Sequence, residues 1–122
     1  MKAAIYARYS TDKQSESSID DQFRECRKLA EHHEFNVVAE FSDKAMSGGT
    51  ANRPDYQNML AAARAEQFDV IVAEDTSRLW RNLAEQAPRL AELQDLGIHI
   101  VTCDLDTRQE SAGILGAING AM

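Results

Sequence analysis

The chain has little cysteine, proline or glycine and no long apolar run, and each shortage excludes a class of protein. Its two cysteines, Cys26 and Cys103, form no CxxC pair, which argues against a disulfide framework or a zinc knuckle. We expect both thiols to be reduced and buried. Six glycines and two prolines exclude collagen-like and low-complexity chains. No stretch approaches the roughly 18 apolar residues of a membrane span, and the first ten residues do not resemble a signal peptide, so a cytoplasmic protein is expected.

Basic charge is also scarce. Thirteen lysines and arginines stand against 20 aspartates and glutamates, which gives a net charge of −7. Residues 1–30 hold six basic and five acidic residues, and the other 92 residues hold seven and fifteen. This acidic balance argues against a protein that binds nucleic acid with its whole surface. Any contact with phosphate must depend on a few cations in defined positions.

The chain itself has the length of a single domain and an alternating pattern of strands and helices. Its 122 residues, 43% of them hydrophobic, suffice for one core. Short β-rich runs predict strands at 3–7, 37–41, 70–73 and 98–103, with helical patterns between them. Parallel strands need crossover connections, which are usually helices. The sequence therefore predicts an α/β fold, a three-layer α/β/α domain with a mostly parallel central sheet.

The helices have recognisable starts. The first opens at a serine N-cap, Ser17 or Ser18, and the second opens at Pro54. In the third, Pro88 is expected to kink the helix or to mark its true beginning. Residues 111–122 have the pattern of a further helix without a terminating cap, so we expect residues 1–122 to be a domain cut within a longer helix.

Three predicted loops, at 8–17, 42–52 and 74–82, follow strands and should gather at one edge of the sheet, where ligands bind in open α/β folds. They carry Arg8, Arg78 and Arg81, and a fourth arginine, Arg53, directly follows the second loop. Like charges that cluster are unfavourable unless an anion joins them. Arginine is well suited to hold phosphate because its planar fork makes paired hydrogen bonds. The pattern favours a phosphate site.

Two polar residues are candidates to share that site. Ser10 follows Arg8 by two positions, so strand alternation directs both side chains to one side. An arginine beside a serine can stabilise the oxyanion when the hydroxyl acts as a nucleophile, although a turn-capping serine is the plainer interpretation. Gln22 lies at the margin of the first helix's apolar stripe, where its amide could orient a phosphate or face solvent.

Four segments resemble the catalytic domain of the serine recombinases, the resolvase/invertase family. They are YARYST, SIDDQFRECRKLA, SGGTANRPDYQNML and SRLWRN, in that order and spacing. The likeness runs from about residue 3 to the end and is greatest to the large serine recombinases, the phage integrase and transposase branch. It implies a resolvase-like fold without a DNA-binding domain in residues 1–122.

The resemblance also implies a reaction. Ser10 would attack a DNA phosphodiester, form a 5′-phosphoserine link and free a 3′-hydroxyl that later joins another strand. By the same resemblance, four arginines would bind the phosphoryl oxygens in the transition state: Arg8, Arg53, Arg78 and Arg81. Gln22 would help to position the phosphate. No metal, nucleotide or other cofactor is implied. The implied partners are DNA and, in the full-length protein, further copies of the chain as a dimer and a synaptic tetramer.

One residue departs from the family pattern. Many members have aspartate immediately before the first arginine of the third motif, where this chain has Ser77. The proton path to the leaving group, or the carboxylate that would orient Arg78, is therefore unassigned. Asp75 stands two residues earlier, and the sequence does not decide whether it substitutes for the missing aspartate. Without a DNA-binding module, the isolated chain could be inactive.

Other phosphate chemistries remain as alternatives. A P-loop motif is absent, which excludes that class of NTPase. Asp75, Asp104 and Asp106 could hold Mg²⁺ in a metal-dependent nuclease or phosphotransferase. A non-enzymatic flavodoxin-like module that senses phosphate, labelled on Asp75, is the third possibility.

Overall fold

A parallel sheet with helices packed against it organises the chain. The structure, a computed structural model, describes residues 1–10, 18–45 and 53–108, apart from the side chains of Ser10 and Ala45. The strands are β1 (Lys2–Ser10), β2 (Asn36–Ala45), β3 (Val70–Ala73) and β4 (His99–Val101). The helices are α1 (Ile19–His32), α2 (Pro54–Arg64), α3 (Thr76–Leu79) and α4 (Leu83–Asp95).

The sheet places β1 and β3 at its centre. Its order is β2-β1-β3-β4, and every neighbouring pair is parallel. Tyr6 of β1 lies opposite Phe41 of β2 on one side and Ala73 of β3 on the other. Because the strands are parallel, the segments that leave β1, β2 and β3 all leave from the same edge of the sheet.

Alternation along β1 divides the core into two layers. Ala4 and Tyr6 pack in the cluster that contains Leu60 of α2 and Leu93 of α4. Ile5, on the opposite face, packs in the cluster that contains Cys26 of α1. Helices thus cover both faces of a parallel sheet, and the predicted three-layer α/β/α architecture is confirmed.

The two longest strands extend further than their sequence pattern indicates. We predicted residues 8–10 and 42–45 as loop, and this is wrong. After a register shift between Ala3 and Ala4, the pairing of β1 with β2 continues without a break from Ala4 opposite Ala39 to Ser10 opposite Ala45, beyond the end of β3. Backbone hydrogen bonds between two strands do not require apolar side chains, so hydrophobicity alone underestimates such strands.

The fourth strand is shorter than predicted, and this exposes one thiol. β4 ends at Val101, and the Thr102 amide donates to the Leu105 carbonyl at 2.6 Å, which turns the chain out of the sheet. Cys103 is consequently exposed, so its predicted burial is wrong, whereas Cys26 is fully buried as expected. Burial raises the pKa of Cys26 to about 12, with a further contribution from the Glu74 carboxylate.

The first two helix starts follow the predicted capping chemistry. Ser18 caps α1 by accepting from the Asp21 amide at 3.1 Å, and α2 begins at Pro54. Asn82 caps α4 by accepting from the Glu85 amide at 2.9 Å. Pro88 lies inside α4 and does not begin it, because this cap starts the helix more than a turn earlier. The further helix predicted over 111–122 falls outside the described residues.

Replacing Pro88 by alanine is expected to stabilise the protein by about 1–3 kcal/mol. Proline lacks the amide that would bond one turn back in α4, and its ring crowds that carbonyl, a cost only partly offset by its lower chain entropy when unfolded. Urea unfolding of the two proteins measures the difference. An unchanged or lower midpoint in the Pro88→Ala variant would contradict the account.

Candidate active site

The main chain of Arg8 is clamped by a buried glutamine. Gln22 of α1 is fully buried. Its Oε1 accepts from the Arg8 amide at 3.0 Å, and its Nε2 donates to the Arg8 carbonyl at 2.9 Å. Of the two alternatives for Gln22, the one in which it faces solvent is therefore wrong. The residue attaches α1 to the end of β1 and fixes the position from which the Arg8 side chain extends.

Arg8 and Arg78 hold each other in place. The Arg8 guanidinium donates to the Arg78 carbonyl at 3.3 Å and to the Ser77 carbonyl at 2.6 Å. In return, the Arg78 guanidinium donates to the Arg8 carbonyl at 3.4 Å. These reciprocal bonds join the end of β1 to the segment after β3. Residues 70 positions apart in the chain thus share one site.

Arg53 brings a third guanidinium to the same place. It is 9% exposed, and its Nη2 donates to the Arg78 carbonyl at 3.1 Å. The guanidiniums of Arg8 and Arg53 therefore share one acceptor atom and lie within two hydrogen-bond lengths of each other. Arg53 also donates to the Tyr6 hydroxyl from two nitrogens, at 3.1 and 3.3 Å. We call Arg8, Arg53 and Arg78 the arginine cluster.

Carboxylates that the sequence analysis did not single out support this cluster. Glu74 accepts from Arg78 Nε and Nη2 at 3.2 and 2.9 Å. Glu85 accepts from Arg53 Nη1 at 3.1 Å. The four-residue spacing of Glu74 and Arg78, typical of helical ion pairs, is the signal that could have found the first pair. Nothing in the sequence pattern connects Arg53 to Glu85, since 32 positions separate them.

A buried tyrosine and aspartate complete the support of Arg53. The Tyr6 hydroxyl donates to Asp43 at 2.7 Å while it accepts from Arg53. Asp43 is 6% exposed and also accepts from the amides of Asp55 and Tyr56, both at 2.9 Å. Burial raises the pKa of Tyr6 well above its ordinary value, so the phenol is neutral at physiological pH. Asp43 of β2 thus caps α2 across the fold.

The carboxylate beside Arg78 is Glu74 and not Asp75. Asp75 caps α3, where it accepts from the Ser77 amide at 2.9 Å and from the Ser77 hydroxyl. The Ser77 carbonyl accepts from Arg8. Asp75 is therefore engaged in capping α3, and the carboxylate that orients Arg78 is that of Glu74.

Arg81 lies beyond the end of the helix that carries Arg78. α3 ends at Leu79, and Trp80 is extended, so Arg78 and Arg81 do not share the helical face that their spacing would give. Arg81 is exposed and lines a cavity of about 140 Å³ that Arg53 also lines. Arg53 is thus the link between the arginine cluster and Arg81.

Ser10 is the last residue of β1. Its backbone lies two positions beyond Arg8 and opposite Ala45 of β2. Its hydroxyl falls outside the described atoms. The end of the strand that carries Arg8 is nevertheless fixed in register, so the main chain brings Ser10 to the same edge of the sheet as the arginine cluster.

The aspartates of the alternative magnesium site do not converge. Asp104 accepts from the Thr76 amide, the Thr76 hydroxyl and the Thr102 hydroxyl at 3.1, 2.9 and 2.6 Å. Burial alone would raise the pKa of Asp104, but these bonds outweigh it and lower the pKa. Asp106 pairs with Arg108 at 2.9 Å. Within residues 1–10, 18–45 and 53–108, no three metal-ligating side chains come close enough to share an ion.

The described helices include none with the length and apolar character needed to span a bilayer. The arginine cluster and the side chains that support it lie at one edge of the sheet.

Comparison with known proteins places the chain among recombinases. The family model "Resolvase, N terminal domain" matches residues 3–122. The N-terminal catalytic domain of TP901-1 integrase is 27% identical, with a TM-score of 0.78 over 98% of this chain and 95% of that one. A resolvase family site-specific recombinase from Streptococcus pneumoniae is 20% identical, with a TM-score of 0.76 over 99% and 87%.

A third similar structure is the C-terminal catalytic domain of ISC1926 TnpA, an IS607-like serine recombinase. It is 23% identical, with a TM-score of 0.70 over 98% of this chain and 82% of that one. The resemblance seen in the four sequence motifs is confirmed, and with it the resolvase-like fold. The chain belongs to the resolvase N-terminal domain family.

Proposed function

We propose that this chain is the catalytic domain of a site-specific serine recombinase that breaks and rejoins DNA through Ser10. The observation that carries the proposal is that Arg8 and Arg53 both donate to the Arg78 carbonyl, while Arg78 donates to the Arg8 carbonyl, beside the strand that ends at Ser10. Three guanidiniums at one sheet edge suit the negative charge of a phosphodiester in its transition state. Family membership gives the reaction class.

The proposed step exchanges one phosphoester for another. The Ser10 hydroxyl oxygen bonds to phosphorus, the bond from phosphorus to the 3′ oxygen breaks, and the strand leaves with a 3′-hydroxyl. The proton lost by the serine is balanced by the proton gained at the 3′ oxygen. A 3′-hydroxyl from another strand then reverses the step, so the bond energy is retained and no nucleotide is consumed.

The arginine cluster would act through preorganised charge. Each guanidinium is held by a carbonyl, a hydroxyl or a carboxylate of the protein before any DNA arrives. Groups that are already fixed in position spend little free energy on reorganisation when charge develops in the transition state. Electrostatic stabilisation of this kind is the largest contribution to catalysis in many enzymes. Arginines can thus supply the charge stabilisation that metal ions supply in other phosphoryl-transfer sites. Arg81 would add to this site from the cavity that it shares with Arg53.

DNA capture and strand exchange require more than this chain. A net charge of −7 leaves little general attraction for a duplex, so DNA binding would come from a separate module. We extend the proposal to a dimer that pairs into a synaptic tetramer, acting on DNA in the cytoplasm. The similar fold of the N-terminal catalytic domain of TP901-1 integrase, which is 27% identical, supports the proposal.

A covalent trap tests the proposal. The chain, fused to a sequence-specific DNA-binding module, is incubated in EDTA with DNA that carries the module's site, and adducts are mapped by mass spectrometry. We expect a metal-independent adduct on Ser10 and none from the Ser10→Ala variant. A recombinase of proven activity, treated in the same way, serves as the positive control.

The other outcomes separate the alternatives. Cleavage that needs Mg²⁺ and leaves no adduct would replace the proposal with a nuclease that uses Asp104 and Asp106. Labelling of Asp75 by a phosphoryl donor would replace it with a phosphate-sensing module. Absence of any adduct while the positive control reacts would overturn the proposed catalysis.

A further inference from the structure

A second arginine-rich site lies beside the arginine cluster, between the start of α2 and the first half of α4. This cavity of about 140 Å³ is lined by Arg53, Tyr56, Gln57, Arg81, Glu85 and Arg89. We call it the α2–α4 cavity. Arg8, Gln22 and Arg78 are not among its lining residues. Of the three arginines in the cluster, Arg53 alone lines this cavity and joins it to the cluster.

Arginines make up half of the described residues that line the cavity. Three arginines line it, and Glu85 is its single lining carboxylate among the described residues. Glu85 pairs with Arg53 at 3.1 Å, although it stands four residues before Arg89 on the same helix. In the part of the chain that the structure describes, Arg89 has no carboxylate within ion-pair distance. Clustered cations of this kind favour an anion.

Tyr56 lies among the charged groups that line the cavity. The Arg53 guanidinium lies 4.2 Å from the centre of the Tyr56 ring. Burial raises the pKa of Tyr56, while the charges of Arg53 and Arg89 oppose that rise and the charge of Glu85 adds to it. The two arginines and the glutamate therefore act on the same side chain. The volume is that of a few water molecules, at about 30 Å³ each, which suits a group the size of phosphate.

We propose that the α2–α4 cavity binds a second phosphate of the DNA backbone, outside the arginine cluster, with Arg89 and Gln57 as binding residues. Glu85 occupies Arg53 in the DNA-free chain, and the incoming phosphate displaces it. Because Arg53 directs Nε and Nη2 toward Tyr6 and Nη1 toward the cavity, one guanidinium borders both sites. Neighbouring phosphates of one strand could then be held together. This inference rests on the proposed function for its choice of DNA.

The test compares three single variants with the unsubstituted chain. Arg89→Gln removes the arginine that has no carboxylate partner among the described residues, and Glu85→Gln removes the competing carboxylate. Arg64→Gln is the matched control, since Arg64 is an exposed arginine of α2 that pairs with Glu92 at 3.3 Å, outside the cavity lining. Inorganic phosphate is titrated into each chain, and the Nε–Hε signals of the arginines are followed by NMR.

We expect Arg89→Gln to weaken phosphate binding by about tenfold and Glu85→Gln to tighten it by a similar factor, which is the scale of one charged contact. Arg64→Gln should bind like the unsubstituted chain. Equal affinities in Arg89→Gln and Arg64→Gln would overturn the site. Unchanged affinity in Glu85→Gln would overturn the displacement.

A second arm distinguishes DNA from free phosphate. In the fusion with a DNA-binding module, Arg89→Gln should reduce the slope of log affinity against log salt by about one, and Arg64→Gln should not. Equal slopes together with weakened phosphate binding would overturn the DNA assignment and leave a site for free phosphate. The Ser10 adduct of the unsubstituted fusion is scored separately, so failure of the proposed catalysis is distinct from failure of the cavity.

Discussion

Replacing Arg8 by lysine is expected to slow formation of the Ser10 adduct by about 10²–10³-fold, although the charge is kept, which is the usual scale for loss of a preorganised donor in an oxyanion site. The Arg8 guanidinium reaches two carbonyls at once, those of Ser77 and Arg78. A lysine ammonium is a point charge without the planar fork that spans two acceptors and an incoming phosphoryl oxygen. The effect therefore depends on geometry and not on net charge.

The Arg8→Lys variant should remain folded, because Gln22 binds the main chain of residue 8 and not its side chain. Adduct formation is measured at saturating DNA, and the unfolding midpoint is measured in parallel. Arg24→Lys is the matched control, since Arg24 is exposed on α1 and pairs only with Asp21 among the contacts described for it. A rate within twofold of the unsubstituted protein would refute the role of Arg8.

Replacing Asp43 by alanine is expected to destabilise the protein by about 3–5 kcal/mol, which is a large part of the ~5–15 kcal/mol available to a domain. Asp43 is buried and accepts from the Tyr6 hydroxyl and from the amides of Asp55 and Tyr56. Alanine leaves all three donors without this acceptor inside the fold. The loss also removes the partner that orients Tyr6 against Arg53.

Urea unfolding measures the loss, and the melting temperature should fall by about 10–20 °C. Asp43→Asn retains one acceptor oxygen and should lie between the alanine variant and the unsubstituted protein. Asp95→Ala, at the exposed end of α4, should change stability by no more than about 0.5 kcal/mol. A loss below about 1 kcal/mol in Asp43→Ala would show that water satisfies the freed donors.

The order of elements was predictable because it depends on local patterns. The apolar run at Val70–Ala73 became β3 without change, and Ser18 caps α1 through the hydroxyl that the pattern offered. Each of these choices needs only a few neighbouring residues. Pro88 shows the limit of local reasoning, since a well-capped helix can continue through a proline that its own sequence argues against.

The support of the site was not predictable because its contacts span the chain. Gln22 clamps Arg8 across 14 positions, Asp43 accepts from Tyr6 across 37, and Arg8 reaches the Ser77 carbonyl across 69. Such pairings depend on strand order and on which face each residue presents. No spacing rule in one sequence identifies them.

The sequence alone determined the class of fold, the family and the set of arginines from which a phosphate site could be built, because periodicity and short motifs are local properties. The tertiary structure decided which of those arginines meet. Parallel pairing of β1 with β3 brings Arg8 to Arg78, whereas the end of α3 at Leu79 directs Arg81 into the α2–α4 cavity. The physical reason is that a guanidinium is positioned by its hydrogen-bond acceptors, and here those acceptors are carbonyls and carboxylates from distant strands and helices.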